Sequence, residues 1–137
     1  MFVQNDYSNS MIDCLKFIDN FEIFENGKQK IIEKENFEFF SIFNKVEELF
    51  RSARVMPAFG VSLHNETLNA MKNDCWLQIN FSKELSKNDL PFNSLLLKLE
   101  PDVYGFNLIR LYQNKYNGRC IYLDLDEQTN LINLIKE

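Results

Sequence analysis

His64 is the only histidine among 137 residues, so an imidazole general base, a nucleophile-base pair or a histidine metal site must be built on it. Cys75 or Ser62 could serve as its nucleophile, given an orienting acid and an oxyanion donor beside the pair. Ser62 follows Gly60-Val61 but lacks the second glycine of a nucleophile elbow. His64 also opens a polar stretch, HNETLNAMKND, where an exposed or structural role is expected.

The densest acidic group is Asp124, Asp126 and Glu127. Strand alternation would put Asp124 and Asp126 on one face, where two carboxylates could hold Mg²⁺ against a substrate phosphate. Neither a Gly-rich phosphate loop nor calcium-loop spacing accompanies them. They read better as structure: Asp124 as cross-strand partner of Arg110, Asp126 as a helix N-cap, Glu127 as a favourable charge in the first turn. No metal and no cofactor is expected. Cys14, Cys75 and Cys120 lie far apart without a Cys-x-x-Cys spacing, as reduced thiols of a cytosolic protein would.

A further set of aromatic and charged side chains surrounds one hairpin, YGFNLIRLYQNKYNGRCIYLDLD, residues 104 to 126. Its Asn117-Gly118 pair tolerates positive φ and is a common hairpin closure. With Tyr116-Asn117-Gly118 as a three-residue loop, Lys115 pairs with Arg119, Leu111 with Leu123 and Ile109 with Leu125. That register gathers Ile109, Leu111, Gln113, Ile121, Leu123 and Leu125 on one face. Arg110, Tyr112, Asn114, Cys120, Tyr122 and Asp124 fall on the other, whereas a two-residue loop mixes the sets. Tyr112 would then oppose Tyr122, and Arg110 would oppose Asp124. Tyr and Arg are enriched at the energetic centres of interfaces. The expected protein-binding set is therefore Trp76, Arg110, Tyr112, Tyr122, Asp124, Asp126 and Glu127, with Trp76 joining if its strand neighbours the hairpin.

Periodicity supplies the elements that must hold these residues. Apolar spacings of three and four predict a helix over residues 9 to 20; residues 21 to 33 could continue it to a C-terminal Gly27 or form a hairpin around Asn26-Gly27, of which the hairpin is slightly favoured. The strongest helix is NFEFFSIFNKVEELFRS, residues 36 to 52, where Phe39, Ile42, Phe43, Val46, Leu49 and Phe50 form one stripe. Phe40 lies just outside that stripe and Phe37 farther round. Ala58 to Leu63 predicts a short strand. Cys75, Leu77, Ile79 and Phe81 alternate with Trp76, Gln78 and Asn80, as a half-buried strand requires. Residues 82 to 93 read as a polar loop, Ser94 to Leu99 as a strand and Glu127 to Lys136 as a C-terminal helix. The expected class is α+β in one domain over 1–137: an antiparallel sheet of four to six strands with two or three helices packed mainly on one face.

Composition bounds the function. With 45% apolar and 14% aromatic residues the chain can bury an ordinary core. Its net charge of −5 is dispersed: ten acids against seven bases over residues 1 to 56, ten against eight over 57 to 137. No basic stripe offers phosphate contacts, so direct nucleic-acid binding is not expected, and an acidic surface suits a basic partner. MFVQNDYSNS lacks a signal-peptide pattern and no apolar run approaches ~20 residues, which implies a cytoplasmic protein off the membrane. Seventeen Asn with frequent Lys and Ile fit an AT-rich bacterial or phage gene.

These readings converge on a non-catalytic protein-binding protein. Its sharpest form is a small acidic bacterial immunity protein that occludes the basic active site of a cognate toxin, such as a nuclease. Two alternatives stand beside it: a small-ligand or enzymatic domain using His64 with Cys75 or Asp124 with Asp126, and a phage or regulatory adaptor for another host protein.

Overall fold

The computed structural model describes residues 11–56, 60–100 and 105–124. A 3-10 turn (Ile12–Phe17) leads into β1 (Ile18–Glu25) and β2 (Lys28–Ile32), then helix α1 (Glu38–Ser52), β3 (Arg54–Met56), β4 (Val61–Ser62) and helix α2 (His64–Ala70). β5 (Cys75–Lys87), β6 (Leu90–Lys98), β7 (Gly105–Leu111), β8 (Gly118–Arg119) and β9 (Ile121–Asp124) follow. Seven strands form one antiparallel sheet in the order β2-β1-β5-β6-β7-β9-β3, and β4 pairs with β8 in a two-stranded arm.

The molecule is therefore mostly antiparallel sheet with one long helix, which corrects the expected α+β class with four to six strands. Three segments account for the difference. The helix expected over residues 9 to 20 is, within its described part, the 3-10 turn and then β1, whose Ile18, Phe21 and Ile23 are buried. The polar run after Phe81 continues β5 through a bulge between Asn80 and Leu85, because cross-strand backbone bonds to β6 hold it extended where alternation is lost. Arg54–Met56 adds an edge strand by pairing with β9. The expected C-terminal helix and Leu125, Asp126 and Glu127 lie outside the described residues.

Helix α1 forms where its stripe predicts it. Phe39, Ile42, Val46, Leu49 and Phe50 are buried, the Asn36 side chain accepts the Glu38 N–H at 2.8 Å, and Phe37 and Phe40 point to solvent. The stripe joins Phe21, Leu77, Ile79, Leu95, Leu97, Phe106, Leu108, Ile121 and Leu123 in the main core. Fully burying side chains such as Phe21, Phe50, Phe92 and Phe106 stabilises the fold by about 2 to 3 kcal/mol each. On the other face a smaller cluster joins Met71, Trp76, Leu96 and Tyr116. The helical segments thus do not gather on one face: α1 covers the main core, and the residue after α2 helps cover the reverse side.

Two-residue turns decide the sheet's registers. Asn26 and Gly27, Asn88 and Asp89, and Gln113 and Asn114 all have positive φ, the geometry that matches strand twist in a tight hairpin. The first closes the expected hairpin with Glu25 opposite Lys28. The third replaces the expected Tyr116-Asn117-Gly118 loop, with Tyr112 and Lys115 exchanging two backbone hydrogen bonds of 3.0 Å. Phe106 consequently faces Leu123, and Leu108 faces Ile121. The partner of Leu123 has moved five residues from Leu111, an odd shift that puts Arg110 and Tyr112 on the face opposite Tyr122 and Asp124. The expected pairs Leu111 with Leu123, Tyr112 with Tyr122 and Arg110 with Asp124 do not form.

The reason lies outside the hairpin. Residues 115 to 120 leave the sheet, Gly118 and Arg119 pair with β4, and Ser62 Oγ donates to the Tyr116 carbonyl at 2.7 Å. Arg110 secures the detour from below, with Nε donating to Arg119 O and Nη1 to Pro91 O, both at 2.6 Å.

Candidate functional site

The face opposite α1 carries a row of side chains across the sheet. Phe24 pairs with Trp76 and Trp76 with Lys98. β6 and β7 pair from Ser94 and Leu111 to Leu96 and Ile109, and beyond that pairing Lys98 and Asn107 line one depression; Asn107 pairs with Tyr122, and Tyr122 with Met56. One position along, Asp124 sits between Gly105 and Arg54, and its carboxylate meets Arg54 Nη2 at 2.9 Å. Adjacent strands lie about 4.8 Å apart, so the row is a strip held in place by backbone hydrogen bonds.

Exposure varies along the strip. Trp76 is 8% exposed, lies in the small cluster and donates its indole N–H to Asn73 O at 2.8 Å. Tyr122 and Asp124 are half-buried, while Lys98, Asn107 and Met56 are exposed. Gly105 makes room for Tyr122: a Cβ there would stand 2.5 Å from the Tyr122 hydroxyl and overlap the Leu123 carbonyl oxygen. Between Trp76 and β7 the strip sinks into a depression of about 200 Å³ lined by Trp76, Lys98, Glu100, Phe106, Asn107 and Ile109. Lys98 Nζ faces Asp74 at 3.4 Å, and Glu100 has no ion-pair partner among the described residues.

The structure thus brings Trp76, Tyr122 and Asp124 together and separates Arg110 and Tyr112 from them. Arg110 is buried, with its guanidinium committed to the two carbonyls. Burial lowers its pKa, since a desolvated charge is disfavoured. Tyr112 is half-buried at the turn. Lys98, Glu100, Asn107 and Met56 were invisible as members of the site, because their inclusion depends on strand order. The alternation of Cys75–Phe81 was the one available signal, and it placed Trp76 away from the core.

His64 occupies a structural position near the β4–β8 arm. Its Nδ1 accepts the Tyr116 backbone N–H at 3.1 Å, its ring stacks on Tyr116 with centroids 5.7 Å apart, and its backbone N–H donates to Asn117 Oδ1 at 2.7 Å. An imidazole accepting at Nδ1 carries its proton at Nε2. The Ser62 hydroxyl bonds the Tyr116 carbonyl, while Cys75 packs against the main core on the other side of the sheet. Tyr116 Oη donates to Gln78 Oε1 at 2.5 Å, and burial, reinforced by Glu22, pushes this phenol up to about 12. Burial likewise raises the Cys120 thiol. These groups clamp residues 115 to 119 onto the sheet.

Among the described residues no group of three His, Cys, Asp or Glu side chains is arranged to hold a metal, and no helix is long and apolar enough to cross a membrane. Comparison with protein-family models, with curated proteins and with solved structures gives no match.

Proposed function

We propose that this chain is a protein-binding domain that uses the Tyr122–Met56 end of its second sheet face to cover a basic surface. Its specific form would be a bacterial immunity protein blocking the active site of a cognate toxin. The observation that carries the reading is the strip itself: an aromatic ring, an exposed methionine, an exposed amide and an ion pair on adjacent strands. Interface centres favour this composition, and a sheet presents it with little ordering cost on binding. The net charge of −5 would steer a basic partner toward the domain before Tyr122 and Met56 are desolvated against it.

The test is inhibition. Purified protein is titrated against the toxin encoded beside its gene, expecting loss of toxin activity at one-to-one stoichiometry. Undiminished toxin activity at saturating protein rules out the immunity function.

A further inference from the structure

We propose that the depression between Trp76 and β7 receives an arginine side chain of the bound protein, an assignment resting on the protein-binding reading above. Its volume of about 200 Å³ lies below the ~300 to 1,000 Å³ typical of drug-sized ligands and fits one long side chain. Trp76 and Ile109 provide apolar walls for a methylene stem, while Phe106 turns its ring to the main core on the other face. Charge selects the head group. Lys98 is opposed by Asp74 and Arg54 by Asp124, which leaves Glu100 as the rim carboxylate without an ionic partner among the described residues.

Asn107, whose side chain also bonds the Cys120 thiol, adds an exposed amide on β7. A guanidinium matches this set better than an ammonium: its planar fork can meet a carboxylate and an amide oxygen together, and its face stacks on aromatic rings. An acidic side chain would instead meet Glu100 with like charge.

The test titrates ¹⁵N-labelled full-length protein with N-acetyl-arginine N-methylamide, with the citrulline analogue as neutral isostere and the lysine analogue as point charge. Saturable shifts are expected at the Trp76 indole N–H and the Asn107 side-chain amide, with citrulline binding about tenfold more weakly. Glu100→Gln, an exposed change that leaves the spectrum folded, is expected to weaken arginine binding by a similar factor. Equal binding of citrulline, absence of saturation, or indifference to Glu100→Gln overturns the proposal. Toxin inhibition by Tyr122→Ser separates the two readings. Its impairment with no arginine response discards the arginine site alone, whereas unimpaired inhibition discards the protein-binding face and with it the partner's arginine, even where the free arginine analogue binds.

Discussion

Trp76 and Tyr122 stand on the same face of the sheet, Trp76 paired with Lys98 on β6 and Tyr122 with Asn107 on β7. Three strand spacings put them about 14 Å apart, within one ordinary protein interface. Trp76 is the buried anchor of this face and Tyr122 its accessible end.

Tyr122 and Tyr112 should respond differently to truncation because the odd register shift places them on opposite faces. Tyr122→Ser is expected to weaken partner binding by about 2 kcal/mol, roughly 30-fold, while Tyr112→Ser leaves it within about twofold. Calorimetric titration of the two variants decides the matter, and the reverse ranking would move the interface to the other face.

Gly105 is required by close approach. Gly105→Ala would drive a Cβ into the Leu123 carbonyl and the Tyr122 hydroxyl, and a loss of about 3 kcal/mol is expected. At Gly60 nothing lies within 4 Å of an added Cβ, so Gly60→Ala meets only the strain of its φ of +137°, about 1 kcal/mol. Urea midpoints measured side by side test the order. Equal losses would show that β7 and β9 have room to part.

Arg110 holds the 115–120 detour through two short hydrogen bonds. Arg110→Ala leaves the Arg119 and Pro91 carbonyls without that donor and opens a void, so a loss of about 2 to 4 kcal/mol is expected. Lysine should not restore it, because one ammonium lacks the fork that reaches both oxygens. Amide exchange should accelerate first at residues 115 to 120; uniform acceleration across the sheet would refute the local role.

Two buried acids, besides the Cys120 thiol, shape alkaline stability. Burial, reinforced by Asp13 and opposed by Lys87, pushes the Cys14 thiol up to about 12 from an unfolded value near 9.0, and Tyr116 is pushed up to about 12 from near 10.0. Both folded-state values are raised, so the contribution is complete below pH 9 and is lost as pH rises from about 9 to 12. Each group contributes a slope approaching 1.4 kcal/mol per pH unit within its window. Cys14→Ala should flatten the decline from pH 9 upward, and Tyr116→Phe only from pH 10 upward. Urea unfolding across this range provides the check, and an unchanged slope in both variants would sink the account.

Local pattern was legible wherever one element's own periodicity set its environment. The stripe from Phe39 to Phe50 identified α1 and its buried face, Asn26-Gly27 marked the first hairpin, and alternation from Cys75 to Phe81 sorted Trp76 from Leu77. The polar run after Phe81 was not legible as strand, since backbone pairing with β6 rather than side-chain burial keeps it extended.

By itself, then, the sequence determined the long helix, the two-faced central strand and the acidic, aromatic character of the chain, because these depend on residues close along the backbone. Tertiary structure alone decided which aromatic residues share a face. Asn117-Gly118 suits a turn, but Gly118 and Arg119 instead pair with β4, and Arg110 is buried beneath them. The hairpin therefore closes at Gln113-Asn114. Because strand side chains alternate with period two, that distant pairing and the odd shift accompanying it remove Tyr112 and Arg110 from the strip and place Asn107 beside Tyr122.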